Sequence, residues 1–151
     1  MLYTVGEMAK CLDVAASTLR YYDQEGLLPF VERSKSGIRM FTDKDYEWLK
    51  IIECLKKSGL SIKEIRAFIQ MVQKGDDSLQ ERFDLFEARK KAVQKQIDEM
   101  KKTLDLLEFK CWYYKTALQD GTEEYVRSLP AEKIPEPYRS IKENVSNHKN
   151  G

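Results

Sequence analysis

Residues 79–119 contain no proline and no glycine, and their apolar residues recur at alternating steps of four and three. The positions are Leu79, Phe83, Phe86, Lys90, Val93, Ile97, Met100, Leu104, Leu107, Cys111, Tyr114 and Leu118, and Lys90 alone among them is charged. A helix keeps such a set on one side. Over that length it spans ~60 Å, too far for so small a chain to cover its own seam. No second segment of matching length is present to fold back on it. The seam therefore predicts pairing with the same helix of a second copy, as a coiled coil. Leu79, Phe83, Phe86, Val93, Ile97, Met100, Leu104, Leu107, Tyr114 and Leu118 are the expected dimer contacts. The seam alone leaves open whether the two helices run parallel or antiparallel.

The rest of the chain is short. The whole chain has 151 residues, of which 34 % are charged, a balance that suits long solvated helices better than one globule. No apolar run approaches the ~18 residues of a membrane span. Met1-Leu2-Tyr3-Thr4 opens no basic-then-apolar leader. Cys11, Cys54 and Cys111 are odd in number and far apart, which argues for free thiols in a cytoplasmic protein. His148 is the only histidine, so no nucleophile–histidine pair is available within the main body. There is no glycine-rich phosphate loop. An enzyme is not expected, and no cofactor or metal is required.

Thr4-Val5-Gly6-Glu7 has the form of a capping box and starts a short helix with Val5, Met8 and Leu12 on one side. Asp13–Ala16 reads as a turn into a second helix over Ser17–Asp23, closed by Gly26. Ser17, Arg20, Tyr21 and Gln24 share one side of that helix, Leu19 and Tyr22 another. Hydroxyl, guanidinium, phenol and amide groups bind phosphate oxygens and base edges. The alternative is an ordinary amphipathic surface helix. Two short helices joined by a tight turn form a helix-turn-helix, whose second helix reads the major groove.

Phe30–Arg33 and Ile38–Phe41 are β-prone and flank Ser34-Lys35-Ser36-Gly37, which reads as a hairpin. Arg33, Lys35 and Arg39 lie on it, so it either grips the DNA backbone as a wing or is simply solvated. Residues 1–41 carry five Lys/Arg and five Asp/Glu, so DNA affinity must come from local clustering. Thr42 caps a helix over 43–57 with Trp48, Leu49, Ile51, Ile52 and Leu55 inward. Ser61 and Glu64 box another, running to Gln73 with Ile65, Phe68, Ile69 and Val72 inward. Ser78 and Glu81 offer a third box at the start of the long helix, which Gly121 ends. Glu123–Leu129 and Tyr138–Val145 are short helical stretches separated by Pro130, Pro135 and Pro137, and Ser146–Gly151 is expected to be disordered. The expected domains are 1–75 (DNA binding), 76–119 (dimerisation helix) and 120–151 (a short tail).

Cys11 reads as a packing residue, and Cys111, on the seam, as core packing or as a crosslink between subunits in a parallel pair. Cys54 lies about 60° from Ile51, at the edge of its helix's apolar face. Lys50 and Lys57 stand one turn before and one turn after it, where amines favour a thiolate. It is either a reactive sensing thiol or a small hydrophobe at a helix contact.

Four stretches resemble the MerR family of transcriptional regulators: Tyr3-Thr4-Val5-Gly6-Glu7-Met8-Ala9; Thr18-Leu19-Arg20-Tyr21-Tyr22-Asp23 with Gly26-Leu27-Leu28-Pro29; Gly37-Ile38-Arg39-Met40-Phe41; and Ser58-Gly59-Leu60-Ser61-Ile62. The resemblance runs over roughly residues 2–119. It departs at Ala15, where the family often has a Ser or Thr cap. It implies a mainly α fold, a winged helix-turn-helix followed by a long helix that dimerises as an antiparallel coiled coil. It implies double-stranded promoter DNA as partner, contacted by Tyr3, Ser17, Thr18, Arg20, Tyr21, Gln24, Arg33, Lys35, Ser36 and Arg39. RNA polymerase would be engaged indirectly, through bending and untwisting of a promoter with over-spaced −35 and −10 elements.

The effector is less constrained. Metal-sensing members carry a cysteine at the start of the dimer helix, and none lies between Cys54 and Cys111 here. Drug-sensing members carry a large C-terminal domain, which the tail is too short to form. The stretch from Trp48 to Ile62 resembles the aldehyde- and electrophile-responsive branch, where the cysteine at the place of Cys54 is the sensing residue in a stress response. A regulator that senses a small apolar ligand over Phe109, Trp112, Tyr113 and Tyr114 is the alternative. A coiled-coil interaction protein without DNA binding is a third reading.

Overall fold

A computed structural model describes residues 1–147, with side chains to Ile141. The fold is mainly helical with one small hairpin, as expected. Helices α1 (Val5–Leu12) and α2 (Ala16–Gln24) precede strands β1 (Glu32–Arg33) and β2 (Arg39–Met40). Then come α3 (Asp43–Lys57), α4 (Ile62–Lys74), α5 (Leu79–Asp120), α6 (Glu124–Ser128) and α7 (Glu136–Asn147). The chain divides into two compact units, Met1–Val93 and the remainder from Gln94, so the division falls inside α5.

Local chemistry sets the helix starts. Thr4 accepts from the Glu7 amide while the Glu7 carboxylate accepts from the Thr4 amide, and Thr42–Asp45 and Ser61–Glu64 repeat the arrangement. The Thr42 partner is an aspartate, shorter than the usual Glu or Gln of a box. Asp13 ends α1 in the left-handed conformation at φ 55°, a region that tolerates Asp better than most side chains.

The third expected box does not form. Ser78 is buried, and its hydroxyl faces the carbonyls of Met71 and Gly75, to which it donates. It closes the tight turn of residues 76–78 and leaves the first turn of α5 uncapped by its side chain.

The core of the first unit joins α1, α2, α3 and α4. Met8, Leu19, Tyr22, Leu27, Phe41, Leu49, Ile52, Leu55 and Ile65 are almost wholly excluded from water. Trp48, Ile51 and Val72, expected inward, are only partly covered. Leu85 of α5 packs on this core, and Phe86 meets the Phe68 ring edge-on at 5.5 Å. Arg89 donates to the Ser58 carbonyl at 3.3 Å.

In the second unit, Phe109 and Ala117 of α5 pack with Val126, Leu129 and Ile134, flanked by Trp112, Tyr113, Tyr138 and Ile141. Phe109 stacks on Trp112 at 6.1 Å, and Tyr138 lies 6.0 Å from Phe109. The tail thus packs against Phe109 and Trp112 through Tyr138. In α6, Tyr125 is exposed while Val126 is buried. Pro137 does not break the chain. It sits in the first turn of α7, where its missing N–H is not needed. Helix α7 continues through Ser146 and Asn147, past its expected end, while His148 and the residues after it lie outside the described residues.

Candidate nucleic-acid interface

Helix α2 presents the expected face. Ser17, Arg20, Tyr21 and Gln24 are exposed, Thr18 is half-buried, and Leu19 and Tyr22 are buried beneath. Arg20 has no ionic or hydrogen-bond partner among the described residues, so its guanidinium is free for a phosphate or a base edge. Ala15 gives α2 no side-chain cap, as its methyl group dictates.

The hairpin pairs Glu32 with Met40 and Arg33 with Arg39, antiparallel. Ser34 accepts from the Ile38 amide at 3.2 Å and holds the turn, while Lys35, Ser36 and Gly37 stand exposed at its tip. Gly37 has φ 83°, which an L side chain adopts only under strain. The three wing cations are not equivalent. Arg33 donates to Asp23 Oδ2 at 2.6 Å and Arg39 donates to the same oxygen at 2.7 Å. Only Lys35 is unpaired among the described residues. Arg33 and Arg39, expected as phosphate contacts, here fasten the wing to α2.

Tyr3, likewise expected at the interface, joins the end of the hairpin by exchanging backbone hydrogen bonds with Phe41. Its hydroxyl donates to Asp43 at 2.8 Å, and that bond to a carboxylate raises the phenol's pKa. At the other end of α2, Arg66 donates to the Glu25 carbonyl and, at 2.7 Å, to its carboxylate. Tyr22 donates to Glu53 and receives from Lys56 Nζ at 3.2 Å, and its phenol is raised by burial and by Glu53. Asp23, Glu53 and Arg66 are the positioning residues that sequence reasoning missed.

Cys54 is exposed, as are Cys11 and Cys111, so the two expected as packing residues are not enclosed in the chain. Cys11 lies about 60° from the buried Met8 on α1, at the edge of its inward side, and Cys111 on the open seam of α5. Cys11, Cys54, Tyr46, Lys50, Glu53 and Lys57 are among the residues lining a cavity of about 630 Å3 in the first unit. Lys50, expected beside the thiol, contacts Glu47 at 3.4 Å and lies over the Tyr46 ring. Lys57 has no partner among the described residues. No three His, Cys, Asp or Glu side chains among the described residues are grouped to hold a metal ion. No helix among them is long and apolar enough to cross a membrane.

The seam of α5 is open along most of its length. Phe83 is 63 % exposed, Met100 68 % and Leu118 82 %. Phe86 and Val93 are partly used within the chain, the first by Phe68.

Residues 3–72 match the model for MerR helix-turn-helix regulatory proteins, and residues 46–108 match that for the MerR DNA-binding region. An HTH-type transcriptional regulator of Haemophilus influenzae is 45 % identical over 136 residues, 90 % of this chain and 98 % of that one. The HTH-type transcriptional regulator AdhR of Bacillus subtilis is 36 % identical over 78 residues, 52 % of this chain and 56 % of AdhR. The crystal structure of HiNmlR, a MerR family regulator lacking the sensor domain, bound to promoter DNA, matches with a TM-score of 0.75. Its identity is 46 %, over 83 % of this chain and 99 % of that one. With the exposed polar face of α2, the basic wing, the family match over residues 3–108 and two relatives matched over nearly all of their own length, the chain belongs to the MerR family of DNA-binding transcriptional regulators, and it is not an enzyme.

Proposed function

We propose that this regulator acts as a homodimer paired through α5, distorts promoter DNA, and is switched by modification of Cys54. The observation that carries the switch is an exposed thiol on the wall of a cavity in the DNA-binding unit itself. HiNmlR, similar over nearly its whole length, lacks a sensor domain. A regulator of that plan has to sense within its DNA-binding unit or its dimer helix. The resemblance around Cys54 to the electrophile-responsive branch favours an aldehyde, quinone or nitrosating species.

For an aldehyde the chemistry balances simply. The sulfur bonds to the carbonyl carbon, the carbon–oxygen π bond opens, and the thiol proton ends on that oxygen. A difference of ~1–3 kcal/mol between two DNA-bound shapes is enough to switch transcription. The exposed apolar seam supports pairing, and the family resemblance supports the antiparallel sense. Ser17, Thr18, Arg20, Tyr21 and Gln24 take the groove, Tyr3, Arg33, Lys35, Ser36 and Arg39 the backbone. Polymerase is then reached through the altered DNA.

The test is a promoter fusion challenged with formaldehyde. Wild type responds, and Cys54→Ser does not. An unchanged response in Cys54→Ser sinks the switch while leaving the DNA-binding assignment in place.

A further inference from the structure

The recognition helix is tied to α3 by a side chain that also lines the Cys54 cavity. Tyr22 is fully buried on the inner side of α2, and its hydroxyl donates its one proton to Glu53 Oε1. Lys56 supports that hydroxyl from the other side, its Nζ at 3.2 Å and 5.4 Å from the ring centroid. Glu53 is in turn part of the cavity wall with Cys11, Lys50, Cys54 and Lys57. One peptide link and one hydrogen bond therefore separate the thiol's residue from the helix that faces DNA.

We propose that Glu53 is a positioning residue that couples occupancy of the Cys54 cavity to the seating of the recognition helix. The proposal rests on Cys54 being the modified residue. A group added to the sulfur takes up space in the cavity, and the long side chains of the wall must accommodate it. Lys50 is held by Glu47 and the Tyr46 ring, whereas Glu53 is held by Tyr22. Displacing the Glu53 carboxylate leaves a buried phenol hydroxyl without its acceptor, which a folded protein does not tolerate in place. Helix α2 then reseats, and Ser17, Arg20 and Tyr21 on its outer side move with it.

The probe is iodoacetamide, applied to full-length protein carrying Cys11→Ser and Cys111→Ser so that Cys54 is the only thiol. The Cys54 sulfur displaces iodide, forming a carbon–sulfur bond, and its proton goes to the buffer. Two quantities are read: affinity for DNA upstream of the protein's own gene, and amide hydrogen exchange in residues 16–24. In this parent, alkylation changes affinity about fivefold or more and speeds exchange in α2. In Glu53→Ala and in Tyr22→Phe the unmodified protein already exchanges faster in α2, and alkylation adds nothing. Glu53→Gln, whose amide oxygen still accepts from Tyr22, responds as the parent does. Tyr22→Phe keeps the buried ring, so loss of the fold does not confuse the result. If Tyr22→Phe or Glu53→Ala responds like the parent, the coupling runs elsewhere and only this proposal fails. If the parent itself does not respond, the Cys54 switch fails and takes the proposal with it.

Discussion

Asp23 and Arg39 lie sixteen residues apart, yet the Arg39 Nε donates to Asp23 Oδ2 at 2.7 Å with both side chains four-fifths or more covered. Arg33 joins the same oxygen at 2.6 Å from a position 49 % exposed. One carboxylate on α2 thus sets where the wing stands. Replacing it with an amide keeps the size and removes the charge. Asp23→Asn is expected to cost about 1–2 kcal/mol, with Arg39 contributing more than the better-solvated Arg33. Urea unfolding checks this. Wild-type stability in the variant would mean that the pairing is incidental.

Arg20 has the opposite character. It has no partner among the described residues, so Arg20→Ala should leave the melting temperature alone while weakening DNA binding by ~1–3 kcal/mol. Lys35→Ala should instead weaken binding to all sequences alike and make it less salt-dependent, by ~1 in the log–log slope for each subunit. Gel shifts at several salt concentrations separate the two. An intact gel shift in Arg20→Ala would remove α2 from the groove.

The seam predicts an assembly. Met100 and Leu104 are exposed near the middle of α5, and neither contributes to the buried cores of the two units. Met100→Asp with Leu104→Asp should therefore convert a dimer to a monomer in sedimentation while the DNA-binding unit stays folded. A wild type that sediments as a monomer would overturn the pairing.

The Glu64 carboxyl is lowered from its ordinary pKa of 4.5 because it accepts from the Ser61 backbone and side chain. A depressed carboxyl stabilises the fold above the unfolded pKa and loses that contribution as pH falls through the folded one. Glu64→Gln can make the same cap without titrating. The stability of wild type relative to Glu64→Gln should therefore hold constant above about pH 5.5 and decline as pH drops below 4.5. A difference that stays flat to pH 3 would show that the charge adds nothing to the cap.

The parts legible in the sequence were those governed by neighbours in the chain. Thr4, Thr42 and Ser61 announce their helices within three residues, and the α5 seam is a periodicity. Ser78 shows the limit of the same rule: its spacing to Glu81 is that of a cap, but burial turns its hydroxyl toward Met71 and Gly75. Leu19 and Tyr22 were legible as the inner face of α2. That the Tyr22 hydroxyl ends on Glu53, 31 positions away, depends on how α2 crosses α3, and no local pattern encodes it. Asp23 was hidden for the same reason. Its two arginines read as free cations until the hairpin folds back beside α2.

The first turns of α5 have a consequence for how such regulators are taken apart and recombined. Leu85 and Phe86 complete the core around Phe68, and Arg89 closes over the end of α3. A fragment cut at Gly75 would bare Phe68 to water, whereas one cut after Val93 keeps the unit whole. Helix α5 is therefore not a detachable handle. Grafting a different coiled coil onto this reader has to preserve those three side chains, or the chimera will aggregate before it meets a promoter.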